Sequence, residues 1–132
     1  MKKLLTVLAL VTIGCFAFNN TLFSQTTICF DLKITDDCIG QWSGYYIARI
    51  TVSYGGNEYC NTSIEDLSVG WNYDLSYNCN NLPYDEYYGD YQINVTVCRQ
   101  ELLPTCCGSR SSTTMYYSNL DDCDTPIEVL LQ

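Results

Sequence analysis

The sequence predicts an all-β fold: a small antiparallel two-sheet β-sandwich, stapled by disulfides. Three observations carry that expectation. Apolar and polar residues alternate at period two through several segments, which marks strands with one buried face. Nine cysteines occur in only 132 residues. After about residue 24, no segment carries the three-to-four-residue apolar spacing of an amphipathic helix. The length fits one domain, and a 47% hydrophobic share is enough for a folded core.

The first 24 residues read as a cleaved secretory signal peptide. Lys2 and Lys3 give the charged start, and Leu4 to Phe18 give an apolar run too short to span a bilayer. Ser24 stands just before the expected cut, so residues 25–132 form the single mature domain. Thr12-Ile13-Gly14-Cys15 resembles a bacterial lipoprotein processing box and offers an alternative route, with a lipid anchor at Cys15. Phe16-Ala17-Phe18 follow at once, whereas a lipid tether is polar and flexible. Such a start points to a bacterial host and a secreted, extracellular or cell-surface protein with no membrane span. Either route removes Lys2 and Lys3, leaving 15 acidic against 4 basic side chains, a charge of −11.

The strands follow in order. Ile28, Phe30, Leu32 and Ile34 share one face of Thr27–Ile34. Tyr46, Ala48, Ile50, Val52 and Tyr54 do the same in the next segment. Gly55-Gly56-Asn57 supplies the left-handed residues of a tight hairpin, with Glu58 to Thr62 returning antiparallel. Tyr91, Ile93, Val95 and Val97 form a further inward set. Leu67–Leu75, Thr113–Tyr117 and Ile127–Leu131 are shorter candidates, giving six or seven strands. Asp36-Asp37, Asn78 to Asn81 and Gly108 to Thr114 read as polar loops. The expected topology is immunoglobulin-like or a similar Greek key. The family itself is not carried over: its bridge is buried beside a Trp, whereas Cys29 and Cys98 fall on polar strand faces. Bridges there are expected outside the core.

With Cys15 removed, eight cysteines remain: Cys29, Cys38, Cys60, Cys79, Cys98, Cys106, Cys107 and Cys123. An even count after a signal reads as up to four disulfides in an oxidising compartment. The sequence does not choose among the pairings, except that neighbours Cys106 and Cys107 take different partners, because a ring between them is strained. There is no Cys-x-x-Cys, so zinc and thioredoxin-type chemistry lack their motif.

Composition also excludes. Without His there is no Ser-His-Asp triad and no Cys-His pair. A strongly acidic chain repels phosphate backbones, so nucleic acid is not a partner. Asp85, Glu86 and Asp90 are the acids nearest to a glycosidase pair, but a domain this small has little room for a cleft between them. The expectation is a protein that is not an enzyme and needs no cofactor. Calcium is the one ion to consider, at the oxygen-rich Asp121, Asp122 and Asp124 first, and also at Asp36-Asp37 and at Asp85-Glu86 with Asp90, although no EF-hand spacing is present. Asn61-Thr62-Ser63 and Asn94-Val95-Thr96 fit the glycosylation sequon, which matters in a eukaryotic host only.

What is left is the surface. From Ile50 to Cys98 there is no Lys or Arg, but there are seven acids and eight tyrosines, densest in Pro83–Tyr91. A Tyr ring has a flat apolar face and a polar tip, which suits interfaces. Trp42, Trp71, Tyr84, Tyr87 and Tyr88 are the candidate binding surface. The expected function is a secreted structural or assembly subunit of a filament, adhesin or matrix. It would self-associate or bind another extracellular protein through strand edges, the terminal strands above all, and through tyrosine-rich contacts. The alternative is a carbohydrate-binding module, in which the Trp and Tyr rings stack on sugars.

Overall fold

Alternation builds the strands as the sequence predicts. β5 (Tyr91–Arg99) is the cleanest case: every odd residue from Tyr91 to Arg99 is buried and every even one is not. The computed structural model describes residues 23–39, 44–100 and 106–132. The remaining strands are β1 (Phe23–Asp36), β2 (Tyr46–Tyr54), β3 (Asn57–Leu67), β4 (Gly70–Pro83), β6 (Cys107–Ser111) and β7 (Pro126–Leu131). Most of the expected signal segment, including Cys15, lies outside the described residues. β1 begins two residues before the expected cut, where Phe23 pairs with Pro83 and Ser24 with Leu82.

Two sheets pack face to face. One has the order β4-β1-β7 and the other β3-β2-β5-β6. The chain crosses between them four times, pairing β1 with β4 and β2 with β5 in the Greek-key manner. Ile28, Phe30, Leu32 and Ile34 of β1 meet Ala48, Ile50 and Val52 of β2 and Ile93, Val95 and Val97 of β5 in the interior. Each of the Val, Leu, Ile and Phe side chains among them stabilises the fold by roughly 1.5–3 kcal/mol relative to exposure. One pairing departs from the antiparallel expectation: β7 joins β1 in parallel, from Asp31↔Pro126 to Asp36↔Leu131. The chain reaches β7 from the other sheet through residues 112–125, and this long crossover allows the parallel return.

The hairpin forms as expected, with Gly55 (φ 56°) and Gly56 (φ 81°) between β2 and β3. Four local expectations are corrected. Leu67–Leu75 is not one strand, because β3 ends at Leu67 and β4 starts at Gly70. Asn78 to Asn81 is not a loop but lies inside β4, where Thr27 pairs with Asn78 and supplies the partner backbone. Gly108 to Thr114 is not a free loop: Gly108–Ser111 pairs with Val97–Asn94 as part of β6. Thr113–Tyr117 is not a strand and contributes only one bridge, Tyr91↔Met115, before a single 3-10 turn at Tyr117–Asn119.

Both long seams between the sheets are closed. At the β6/β7 seam the backbones touch: a Cβ on Gly108 would stand 2.0 Å from the Leu130 carbonyl oxygen. At the β3/β4 seam the Cys60–Cys79 bridge joins the sheets. Bulges at Cys60 and Asp66 in β3 and Asp74 in β4, all with positive φ, break these edges for pairing with other chains.

Four bridges staple the sandwich: Cys29–Cys123, Cys38–Cys106, Cys60–Cys79 and Cys98–Cys107, with Cα separations of 4.1–6.4 Å. Cys106 and Cys107 take different partners, as ring strain requires. The expectation that bridges at Cys29 and Cys98 lie outside the core holds for Cys98, which is half-buried and outside the core cluster, while other bridges reach inward. Cys79 and Cys106 belong to the buried core. Cys29 keeps its polar-face position yet is buried, because the segment entering β7 covers it: its N–H donates to the Leu120 carbonyl at 2.8 Å.

Candidate interaction surface

β2 carries a tyrosine at each end, and each donates its hydroxyl to an aspartate. At one end Tyr46 Oη bonds Asp36 Oδ2 at 2.7 Å; at the other Tyr54 Oη bonds Asp85 Oδ2 at 2.6 Å. Nine residues of strand hold these two sites at opposite ends of the sandwich.

The Asp36 end is closed. Arg99, buried at the end of β5, donates Nη1 to Asp36 Oδ2 at 3.2 Å, and Cys38 N–H donates to Asp36 Oδ1 at 3.0 Å. Burial pushes the Asp36 carboxyl up. The Tyr46 hydroxyl, the Cys38 amide and the Arg99 guanidinium outweigh it and hold the carboxyl below the usual range. The Cys38–Cys106 bridge lies against this group. Asp36, Cys38 and Cys106 are the only three potential metal ligands that converge among the described residues, and two of them are bonded to each other.

The Asp85 end is built from tyrosine. Tyr54 stacks on Tyr91 at 4.5 Å between centroids, Tyr91 meets Tyr117 edge-on at 5.6 Å, and Tyr117 meets Tyr84 edge-on at 4.8 Å. Tyr91 Oη donates to the Pro83 carbonyl at 2.6 Å. Asp85 Oδ1 accepts the Tyr87 and Tyr88 N–H groups at 2.9 and 3.3 Å, which fixes the loop between β4 and β5. The bonds from Tyr54 and these amides hold Asp85 low, and Asp85 in turn pushes Tyr54 up to about 12. Burial likewise raises Tyr91 to about 12.

On this base stand exposed rings: Tyr84 at 46%, Tyr87 at 79%, Tyr88 at 65% and Tyr116 at 51%. Tyr116 packs over Gly89, where a Cβ would meet its ring at 3.5 Å. Tyr84 Oη donates to Glu86 Oε2 at 3.0 Å, and Glu86 raises the hydroxyls of both Tyr84 and Tyr87. Asp85, Glu86 and Asp90 are the charges of this loop, all negative.

The other predicted residues are scattered. Trp42 lies outside the described residues. Trp71 is on the outer face of β4, its ring nearly parallel to Tyr73 at 5.8 Å, with Lys33 Nζ 5.6 Å from its centroid. Lys33 also pairs with Glu128 at 3.1 Å. This group sits on a sheet face, apart from the tyrosine loop. Asp121, Asp122 and Asp124 are exposed on the crossover to β7 and do not converge: Asp122 Oδ1 accepts the Asp124 N–H at 3.2 Å. Both sequon asparagines, Asn61 and Asn94, line one shallow groove of about 290 Å³ on the outer face of the larger sheet, with Arg49, Thr51, Glu58 and Thr96.

Sequence reasoning marked Tyr84, Tyr87 and Tyr88 but missed Tyr116 as a surface ring, and it missed Asp85 as the organiser. The Pro83–Tyr91 composition was the available signal for the site. Tyr116 enters from a segment 25 residues beyond that loop, and nothing in its spacing announces the meeting.

The fold and this surface define a small disulfide-stapled β-sandwich with an aromatic, acidic end. Comparison with protein-family models, with curated proteins and with solved structures finds no match to this chain.

Proposed function

We propose that this protein is a secreted, non-catalytic structural or assembly subunit of an extracellular filament, adhesin or matrix, working through its tyrosine-rich end. The observation that carries the reading is the set of four exposed rings, Tyr84, Tyr87, Tyr88 and Tyr116, held at the tip of a cross-linked scaffold. Large apolar rings in water are costly unless a partner covers them, and a rigid mount lowers the entropy cost of binding. Four disulfides and the absence of a membrane-crossing helix among the described residues agree with an extracellular setting. Side-chain contact is the favoured route over strand addition. β1 is central in its sheet, β7 lies against β6, and β3 and β4 are bulged.

The test compares natively secreted protein with a Tyr87→Ala/Tyr88→Ala variant, after chemical cross-linking and light-scattering chromatography. The wild type is expected in complexes with itself or a co-secreted protein, and the variant as free monomer with an unchanged melting temperature. Wild-type protein that is monomeric and uncross-linked at its native density would overturn the reading.

A second reading, a carbohydrate-binding module, is favoured by one observation: the exposed, nearly parallel Trp71 and Tyr73 rings. Glycan binding that disappears in Trp71→Ala, with folding intact, would support it. Binding to no glycan removes it.

A further inference from the structure

We propose that the Tyr84–Glu86–Tyr87 rim, with Asp85 beneath it, docks an arginine-bearing segment of a second extracellular protein. This rests on the assembly reading above and adds the chemistry of the partner.

The fold builds one device twice. A terminal tyrosine of β2 donates to an aspartate at each end of the sandwich. At the Asp36 end the chain supplies its own cation, Arg99. At the Asp85 end it supplies none: no Lys or Arg occurs between Ile50 and Cys98, and no described base pairs with Asp85, Glu86 or Asp90. Three carboxylates therefore stand in one short loop without a counter-charge, among rings whose π faces attract cations. Glu86 sits beside the hydroxyls of Tyr84 and Tyr87, so a cation reaching its carboxylate also meets their rings. A guanidinium suits this better than an ammonium: it is planar, stacks on aromatic faces, and spans a carboxylate with two N–H groups.

The same charge pattern selects between partners. A second copy of this chain would bring a net charge of −9 against −9. Among the described residues Lys33 and Arg99 are already paired, which leaves Arg49 and Arg110 as the bases without an acidic partner. Copies repel each other on approach to within about a Debye length, whereas a basic partner is steered in. Arg-rich protein is thus favoured over self-contact.

The test uses the full disulfide-bonded protein, immobilised, and soluble peptides of repeated Arg-Gly-Ser, Lys-Gly-Ser and Glu-Gly-Ser. The Arg peptide is expected to bind best, the Lys peptide more weakly and the Glu peptide not at all, with affinity falling as salt rises. Glu86→Gln and Tyr87→Ala should each weaken Arg-peptide binding about fivefold or more. Tyr87→Phe, which keeps the ring face, should stay near wild type. Asp121→Asn/Asp122→Asn removes charge from another loop and should change affinity by less than about twofold. Unchanged melting temperatures show that the variants fold.

Absence of Arg-peptide binding at low salt would overturn the proposal. So would an equal loss in the Asp121/Asp122 variant, which means diffuse charge, or preferential binding of a chitosan oligomer, which means an amino-sugar ligand. Homo-oligomers that dissolve in Tyr87→Ala and ignore the Arg peptide would assign the site to a second copy. If Tyr87→Ala/Tyr88→Ala breaks native complexes while the Arg peptide fails to bind, the assembly reading stands and the partner chemistry falls. If that double variant leaves native complexes intact, both fall.

Discussion

The two ends of β2 hold the same tyrosine–aspartate pair and put it to different use. At Tyr46 the pair is enclosed, with the tyrosine buried and Asp36 half-buried, joined by Arg99 and flanked by the Cys38–Cys106 bridge. At Tyr54 it is half-exposed, has no cation, and carries a loop of outward rings. One end closes the sandwich and the other presents a surface. The difference teaches that a hydrogen-bonded carboxylate serves stability where the chain neutralises it, and stays open to an outside cation, as proposed above, where the chain supplies none.

The largest effect should come from breaking the closed end. Arg99→Met takes the only cation from the half-buried Asp36 carboxylate, leaving it the Tyr46 hydroxyl and the Cys38 amide, at a cost of about 3 kcal/mol, a drop of roughly 10 °C in melting temperature by calorimetry. Cys38→Ser/Cys106→Ser should cost about 2–4 kcal/mol in denaturant unfolding, because its loop closes 68 residues of sequence. At the open end, Tyr54→Phe should cost only about 1 kcal/mol. Its clearer signature is faster hydrogen exchange at the Tyr87 and Tyr88 amides, whose acceptor Asp85 loses its anchor.

Titration sharpens the comparison further. Asp36 and Asp85 both have native pKa values below the ordinary range. An acid depressed in the native state stabilises it above the unfolded value of about 3.9, and that stability disappears as pH falls through the native value. Melting temperature should therefore decline below about pH 4, and the decline should be shallower in Asp36→Asn. Tyr54 and Tyr91 move the opposite way, up to about 12. Their contribution is full below about pH 10 and disappears as pH rises through about 12, so alkaline melting should be blunted in Tyr54→Phe. The smallest effect is expected from Tyr88→Ala: an exposed ring at a loop tip should change stability by less than about 0.5 kcal/mol.

Much of the scaffold was legible because a period-two pattern records one buried face. Ile28 to Ile34, Tyr46 to Tyr54 and Tyr91 to Val97 could be read straight off. β6 could not. It is an edge strand whose inner side lies against the β7 backbone, so Cys107-Gly-Ser-Arg-Ser111 carries no apolar alternation, and its glycine records a close approach instead. Asn78 to Asn81 looked like a loop by composition, but a 14-residue β1 gives the far end of β4 a partner. The parallel return of β7 depends on which edge was left free, a global property that local pattern does not hold. At the surface, composition pointed to Pro83–Tyr91, but the Asp36–Arg99 pair joins residues 63 apart and had no local signal.

Both ends depend on one covalent frame, and non-reducing peptide mapping by mass spectrometry tests it most directly. The expected result is Cys29–Cys123, Cys38–Cys106, Cys60–Cys79 and Cys98–Cys107 with no free thiol. Finding Cys38 joined to Cys107 and Cys98 to Cys106 would shift β6 by one residue. That result, or eight free thiols in folded, exported protein, would contradict the account.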